Sequence, residues 1–182
     1  MTWSRRRVLL SGSALAGLSA LTSVARSTAA QRPAPKRIAL ANLHTNERLE
    51  VEYCRDGRYL PEALKAIEAV LRDFRSGEQH PIDPKLMDYL IDVAHAAGAD
   101  PAFSVISGYR SPQTNARLRE TSTGVAQHSL HMEGRAIDVR MAGVDCARLA
   151  AHAEELKHGG VGYYRASDFV HLDTGAFRTW KG

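Results

Sequence analysis

Apolar residues recur at every third or fourth position in two stretches of the chain, which is the period of a helix with one buried face. The first stretch opens at Pro61. Its apolar stripe consists of Leu64, Ile67, Leu71 and Phe74. The second begins at Asp83, a capping residue followed by proline at the first helical position, and ends at Gly98. Shorter helices are predicted over residues 113–120 and 145–157.

Other segments alternate between apolar and polar residues or are continuously apolar, and both patterns predict β-strands. A hairpin is expected near the start, with strands at 37–44 and 49–53. The remaining predicted strands are 103–107, 135–141, 161–164 and 169–173. Helices lie mainly at both flanks of this order, while strands gather around the polar motifs. We therefore expect an α+β fold in which a small antiparallel sheet carries the functional site and helices flank it.

The first thirty residues have the pattern of an export signal. Arg5, Arg6 and Arg7 are followed by an uncharged apolar stretch over residues 8–24 and by small residues at 27–30. This order is typical of a twin-arginine signal peptide. A retained membrane anchor is the alternative, but the apolar stretch is short for a membrane span and is interrupted by glycine and serine. We expect export to the periplasm by the twin-arginine route, with no stable membrane insertion after cleavage, and one domain over 31–182.

The charge of the chain does not indicate a nucleic-acid partner. Residues 1–30 contain four arginines and no acidic residue, and the rest of the chain has 20 Lys and Arg against 20 Asp and Glu. The net charge of +4 therefore belongs to the leader, and the predicted mature domain is close to neutral.

Two cysteines, Cys54 and Cys146, are far apart in sequence and are not spaced as metal ligands. An oxidising periplasm would allow them to pair. Twin-arginine export, however, carries proteins that have already folded in the reducing cytoplasm. Two separate buried thiols are therefore the favoured interpretation.

Two histidines and an aspartate form the strongest candidate for a metal site. His131 and Asp138 belong to the segment Ser-Leu-His-Met-Glu-Gly-Arg-Ala-Ile-Asp, whose glycine allows the chain to turn between a loop histidine and a strand carboxylate. His171 lies inside an apolar strand that would hold it rigidly. Two imidazoles and a carboxylate suit Zn²⁺, and three protein ligands leave a fourth position open, as in catalytic zinc sites. The competing interpretation is a capped turn and strand with a surface salt bridge.

A catalytic zinc site also needs a base and a group that binds the polarised oxygen. Asp168 precedes His171 by three residues and Asp173 follows it by two, so either aspartate is a candidate base. Asp173 shares the face of His171 on an extended strand, which makes it equally a candidate partner for that imidazole. Arg110 is the candidate for holding a carbonyl oxygen or a substrate carboxylate.

Four segments make the chain resemble a known family. They are Ser-Gly-Tyr-Arg-Ser-Pro-Gln-Thr-Asn at 107–115, the segment 129–138, Gly-Gly-Val-Gly-Tyr-Tyr at 159–164, and the segment 169–175. These segments are similar to the murein endopeptidase K-like family, once catalogued as a domain of unknown function and related to the M15-type zinc peptidases. The likeness begins upstream near residue 71 and reaches Trp180, so it covers nearly the whole predicted mature chain.

The resemblance implies the fold of zinc D-Ala-D-Ala carboxypeptidases and the hedgehog domain, together with endopeptidase action on peptidoglycan stem peptides. It implies as Zn²⁺ ligands His131, Asp138 and His171. Arg110 matches the arginine of the family's Ser-Gly-Tyr-Arg segment. Related enzymes place their base in an Asp-x-x-His or Glu-x-x-His pair, which puts Asp168 slightly ahead of Asp173.

Two other functions fit the same sequence. A non-catalytic, zinc-containing module that binds peptidoglycan would keep the metal ligands, although such a module has no need of two aspartates beside His171. A D-Ala-D-Ala carboxypeptidase would differ from an endopeptidase only in a cleft closed at one end, which the sequence does not reveal.

Overall fold

A computed structural model of the chain describes residues 33–122 and 124–182. The predicted leader over residues 1–30 lies outside this part. The strands are β1 (Lys36–Asn42), β2 (Arg48–Arg55), β3 (Arg58–Tyr59), β4 (Ala102–Ser107), β5 (Ala136–Met141), β6 (Gly160–Tyr164), β7 (Phe169–Asp173) and β8 (Arg178–Lys181). The helices are α1 (Pro61–Val70), α2 (Pro84–Ala96), α3 (Pro112–Thr121) and α4 (Cys146–Leu156), with a 3-10 helix at Leu130–Glu133.

The strands form one eight-stranded sheet in the order β3-β2-β1-β4-β5-β7-β6-β8. The α+β class is confirmed, but the sheet is larger than expected and is mixed rather than purely antiparallel. β1 pairs with β4 in parallel, and β6 pairs with β8 in parallel. A parallel pair needs a long crossover connection, which α1 and α2 supply between β1 and β4. The apolar pattern of a strand indicates which face is buried, but it does not name the neighbouring strand.

The hydrophobic core lies between one face of this sheet and the helices α1, α2 and α4. Fully buried side chains from both layers include Ile67, Leu86, Leu90, Leu149, Val105, Val139, Val170 and Leu172. Val170 and Leu172 alternate with His171 along β7, so His171 projects from the opposite face. The functional site predicted from the sequence therefore lies on the sheet face that these three helices do not cover.

The two helices predicted from the apolar period are present, and one of them is shorter than expected. The apolar stripe predicted α1 to continue to Phe74, but the helix ends at Val70. The carbonyl oxygen of Val70 accepts a hydrogen bond from Asn42 Nδ2 at 2.9 Å, and the backbone nitrogen of Tyr109 donates to the oxygen of Leu71 at 2.8 Å. These partners from distant segments terminate the helix, and a local pattern cannot reveal them.

The predicted boundaries of α2 are confirmed. The side chain of Asp83 accepts a hydrogen bond from the backbone nitrogen of Lys85 at 3.0 Å, as a helix cap does, and Pro84 follows it. Gly98 adopts a positive φ of 67° just beyond the helix end.

Both cysteines are buried free thiols, as expected. Cys54 lies in β2 and Cys146 begins α4.

Within residues 33–122 and 124–182, no helix has the length and apolar character needed to cross a bilayer.

Candidate metal centre and cleft

Three elements deliver the predicted metal ligands to one point. His131 lies in the 3-10 helix, which begins after Ser129 and ends where Gly134 takes a positive φ of 64°. A side chain at Gly134 would collide with the backbone oxygen of Pro81, so the turn requires glycine for space as well as for conformation. Asp138 on β5 and His171 on β7 are direct partners in the antiparallel register.

The three candidate ligand atoms form a small triangle. His131 Nε2 lies 3.2 Å from His171 Nδ1 and 3.3 Å from Asp138 Oδ1, and His171 Nδ1 lies 2.8 Å from Asp138 Oδ1. Tetrahedral zinc with ligand distances near 2.0–2.1 Å separates neighbouring donor atoms by roughly 3.3 Å. The triangle therefore fits a tetrahedral ion with a movement of only a few tenths of an ångström, and the fourth position of the tetrahedron is left for a further ligand.

The outer ring nitrogens of both histidines have fixed partners. His131 Nδ1 lies 2.7 Å from the backbone oxygen of Gly108, and His171 Nε2 lies 3.0 Å from Asp173 Oδ2. A carbonyl or carboxylate oxygen only accepts, so these nitrogens carry the protons. The inner nitrogens, His131 Nε2 and His171 Nδ1, are the ones that can present lone pairs to a metal ion.

Burial and neighbouring charges shift the pKa values of the two histidines in opposite directions. Burial lowers the pKa of His131, and the charge of Asp138 offsets this only in part. Burial alone would also lower the pKa of His171, but hydrogen bonds to Asp138 and Asp173 outweigh it and raise that pKa to about 9. Asp138 has a pKa well below its ordinary value, because the charges and hydrogen bonds of the two histidines overcome the cost of burial. A cation replacing the proton on His171 Nδ1 would satisfy Asp138, while the proton on Nε2 stays bonded to Asp173.

Arg110, the candidate for holding a carbonyl oxygen or a substrate carboxylate, lies beside the triad. Its side chain is only 12% exposed, and its Nη2 is 3.9 Å from Asp138 Oδ2. Nη1 donates to Asn115 Oδ1 at 3.2 Å, and Asn115 in turn binds the backbone oxygen of Ala126. The guanidinium is thereby held at the wall of the cleft.

Asp168, the favoured candidate base, does not line the cleft. It lies in the turn before β7, its carboxylate is 3.6 Å from Arg140 Nε, and it also accepts a hydrogen bond from the thiol of Cys146. Asp168 precedes the first residue of β7 and takes a positive φ of 51°, so the alternation of the strand does not direct its side chain toward His171. The Asp-x-x-His pair is therefore present in sequence but is not assembled around the metal centre.

Asp173 lies behind His171 and has no exposed surface. Besides His171 it accepts hydrogen bonds from Arg178 Nη1 and Nη2, at 3.1 and 2.7 Å, and from the backbone nitrogens of Gly160 and Gly175. Burial would raise the pKa of Asp173, but these donors lower it far below the ordinary value. Such a carboxylate is a weak base without access to water in the cleft, so its geometry fits the orienting role and not the base.

The triad forms the floor of a cleft of about 510 Å³. Ser122 and residues 124–126 and 128–130 supply one wall, and the aromatic side chains of Tyr164, Phe169 and Trp180 supply another. Tyr164, Trp180 and Arg178 were not predicted from the sequence to lie in the cleft. The last two lie in β8, a strand of four residues that is too short to show a period, and no local signal marks them.

Comparison with known proteins identifies the family. The family profile described as peptidoglycan L,D-endopeptidase MepK matches residues 29–180. A probable peptidoglycan L,D-endopeptidase MepK of Haemophilus influenzae is 42% identical over 151 residues, covering 82% of this chain and 81% of the relative. The peptidoglycan L,D-endopeptidase MepK of Escherichia coli strain K12 is 39% identical over 178 residues, covering 97% of each chain. No solved structure matches. The chain therefore belongs to the MepK family of M15 peptidases.

Proposed function

We propose that this protein is a zinc-dependent endopeptidase that hydrolyses peptide cross-links of peptidoglycan. The observation that carries the proposal is the triangle of donor atoms from His131, Asp138 and His171, buried at the floor of a cleft and spaced for a tetrahedral ion. The relatives supply the substrate class, since both are named peptidoglycan L,D-endopeptidases.

The donor set favours zinc over harder ions. Two imidazole nitrogens and one carboxylate oxygen suit Zn²⁺, whereas Ca²⁺ and Mg²⁺ are bound chiefly by oxygens. A zinc ion held by these three residues would polarise the scissile carbonyl and acidify a water molecule at the open position. The protein fixes the tautomers of both histidines. The backbone oxygen of Gly108 accepts the proton on His131 Nδ1, and Asp173 accepts the proton on His171 Nε2.

Other side chains of the cleft bind and orient the substrate. Arg110 is proposed to hold the carbonyl oxygen of the scissile bond or a neighbouring carboxylate, because its guanidinium faces the triad and is held rigidly by Asn115. Tyr164, Phe169 and Trp180 offer an aromatic wall for the aliphatic parts of stem peptides. Neither Asp168 nor Asp173 lines the cleft, so neither is proposed to take the proton of the attacking water.

The bond proposed for cleavage joins an L centre to a D centre, by analogy with the names of the relatives. A link between two diaminopimelates is of this kind, whereas a link from D-alanine to diaminopimelate joins two D centres. The proposal places the enzyme in the periplasm as a single domain over residues 31–182. Two points support this location: the first thirty residues have the pattern of an export signal, and the proposed substrate, peptidoglycan, lies outside the cytoplasm.

The decisive experiment is a digest of purified sacculi with the purified protein, resolved by chromatography and mass. Loss of dimers cross-linked between two diaminopimelates, abolished by a chelator and restored by Zn²⁺, is the expected result. Removal of only a terminal D-alanine would instead identify a carboxypeptidase. Unchanged muropeptides from a zinc-loaded protein that binds sacculi would identify a binding module.

The matched variant is His131→Ala, which removes one ligand and leaves Gly108 without its partner. It is expected to lose zinc binding and cleavage together. Normal cleavage by this variant in a metal-free state would contradict the metal mechanism.

A further inference from the structure

An ion pair behind the third metal ligand has no part in the chemistry described so far. Arg178 donates through Nη2 to Asp173 Oδ2 at 2.7 Å and through Nη1 to Asp173 Oδ1 at 3.1 Å. Oδ2 is the same oxygen that lies 3.0 Å from His171 Nε2. A guanidinium that binds both oxygens of a carboxylate fixes the plane and the rotation of that group.

Strand β6 is shaped to admit this pair. It pairs with β8 in parallel so that Gly160 faces Arg178 and Gly162 faces Trp180. A Cβ at Gly160 would lie well inside 3.0 Å of both the Asp173 carboxylate and Arg178 Nη1, and a Cβ at Gly162 would collide with the ring of Trp180. Because Gly160 and Gly162 have no side chains, the ion pair and the indole can occupy the space over this face of β6.

Trp180, which lines the cleft, packs against both His171 and Arg178. Its ring centroid lies 5.2 Å from that of His171, and the Arg178 guanidinium lies 5.0 Å from the indole. The indole nitrogen donates to the hydroxyl of Tyr164 at 3.0 Å, which fixes the ring. The imidazole of His171 is consequently constrained on its outer edge by Asp173 and on its flank by Trp180.

We propose that Arg178 is a positioning residue for the metal: by locking the Asp173 carboxylate it holds the proton of His171 on Nε2 and keeps Nδ1 available to the ion. The inference rests on the proposed metal site and extends it to β8. Without Arg178, Asp173 Oδ1 is still held by the backbone nitrogens of Gly160 and Gly175, but Oδ2 keeps only His171 as its partner. The imidazole then gains rotational and tautomeric freedom that metal binding must remove.

A competing role for Arg178 is direct binding of substrate, since its side chain is 48% exposed and lines the cleft. The two roles separate cleanly in experiment. Substrate binding changes KM and leaves the affinity for free metal unaltered, whereas a positioning role changes metal affinity with no substrate present.

The test measures Zn²⁺ affinity of the purified full chain by competition with a chromophoric chelator. Arg178→Gln is expected to weaken binding up to about 10-fold, the lower end of what loss of a direct partner of a metal ligand costs, because Arg178 acts on His171 only through Asp173. Arg178→Lys keeps a charge that reaches one carboxylate oxygen, and its affinity should lie between those of the wild type and Arg178→Gln. The visible spectrum of the Co²⁺-substituted protein should change in the same order.

A double-mutant cycle tests the path through Asp173. Asp173→Asn should weaken zinc binding at least as much as Arg178→Gln, and the double variant should be no weaker than Asp173→Asn alone, because both changes act on one imidazole. Arg37→Gln is the matched control, since Arg37 makes a comparable 2.8 Å ion pair with Glu52 on strands remote from the cleft. It should leave zinc affinity unchanged.

Wild-type zinc affinity and cobalt spectrum in Arg178→Gln would overturn the inference, and a raised KM in that variant would assign Arg178 to the substrate. Additive losses in the double variant would also contradict the path through Asp173. If the wild-type protein itself bound no zinc, the proposed function would fail first, so the two failures are distinguishable. Arg178→Lys keeps the test informative if Arg178→Gln does not fold.

Discussion

The two aspartates near His171 show how position relative to the start of a strand changes a role. Asp173 lies two positions from His171 within β7 and reaches the same imidazole, whereas Asp168 lies in the turn before β7, with a φ of 51°, and contacts Arg140. Their carboxylates are alike in chemistry, and the residue at which the extended strand begins separates their roles. The sequence alone left both as candidate bases because it did not reveal where β7 begins.

Replacing Asp168 therefore tests the structure against the family pattern. Asp168→Asn is expected to keep zinc affinity and endopeptidase rate within about twofold of the wild type, because the side chain does not line the cleft and contacts Arg140 instead. The measurement is the initial rate of dimer loss in a sacculus digest. A rate reduced by orders of magnitude, with the protein still folded and zinc-loaded, would restore Asp168 as the base.

Asp73 is a second buried carboxylate with a structural task. It is 1% exposed and accepts hydrogen bonds from the backbone nitrogen and the hydroxyl of Ser111, at 3.0 and 2.7 Å, and from the nitrogen of Arg75. These bonds overcome the cost of burial and keep the pKa of Asp73 far below its ordinary value. The residue thereby fixes the segment that carries Arg110.

Asp73→Ala should lower the free energy of unfolding by about 3 kcal/mol, because it leaves buried donors of Ser111 without partners. In a domain of this size that corresponds to a melting temperature lower by roughly 10 °C. Thermal unfolding followed by circular dichroism measures it. The exposed Asp100→Ala serves as the control and should change stability by less than about 0.5 kcal/mol.

At the scale of elements, the parts with local signals were predictable. The capped start and glycine stop of α2, the hairpin of β1 and β2, and the strand β7 follow from spacing and turn residues within a few positions. Two elements of the site were not predicted. The 3-10 helix with His131 is a single turn held by Ser129 and Gly134, and β8 is four residues long. Both depend on contacts with distant strands, which a local pattern does not contain.

The fit between β6 and β8 gives a prediction at this scale. Gly162→Ala would place a methyl group against the Trp180 ring and should lower stability by about 1–3 kcal/mol. In a Trp180→Leu background the same change should lower the free energy of unfolding far less, since the smaller leucine side chain leaves room for the methyl group. Denaturant unfolding of the four proteins of this cycle measures the coupling. Equal costs in both backgrounds would show that Trp180 does not occupy the space over Gly162.

For the whole molecule, the class of fold was predictable and the architecture of the sheet was not. Six of the strands were expected from their patterns, yet their order, with β1 beside β4 and β6 beside β8, arises from long crossovers and from the strand at the edge. The grouping of His131, Asp138 and His171 was predictable because these residues lie on or next to predicted strands. Arg178 and Trp180, which support His171, could not be predicted, because the pairing of β8 with β6 brings them to the site.

The stability of the metal-free protein should depend on pH through His171. Its pKa is raised to about 9 in the folded state, against an ordinary value near 6.5, so the folded state binds the proton more tightly than the unfolded chain. The resulting stabilisation is complete below pH 6.5 and is lost as pH rises towards 9. With a chelator present, the free energy of unfolding should fall by up to about 1.4 kcal/mol per pH unit between pH 6.5 and 8.

The matched variant is His171→Gln, which is less stable overall but should show no such slope. The comparison stops at pH 8 because burial raises the pKa of the Cys146 thiol to about 11, which adds a slope of the same sign above that pH. Saturating Zn²⁺ should flatten the wild-type profile, since the ion replaces the proton. A slope in His171→Gln equal to that of the wild type would place the titrating group elsewhere.

The location of the cleft has a consequence for how such an enzyme meets a polymer net. Its working surface is the side of the sheet turned away from α1, α2 and α4, between residues 124–126 and 128–130 on one side and the aromatic wall on the other. A strand of the net that enters the cleft therefore contacts the sheet face that carries the triad, while the surface formed by the three helices stays turned away from that strand.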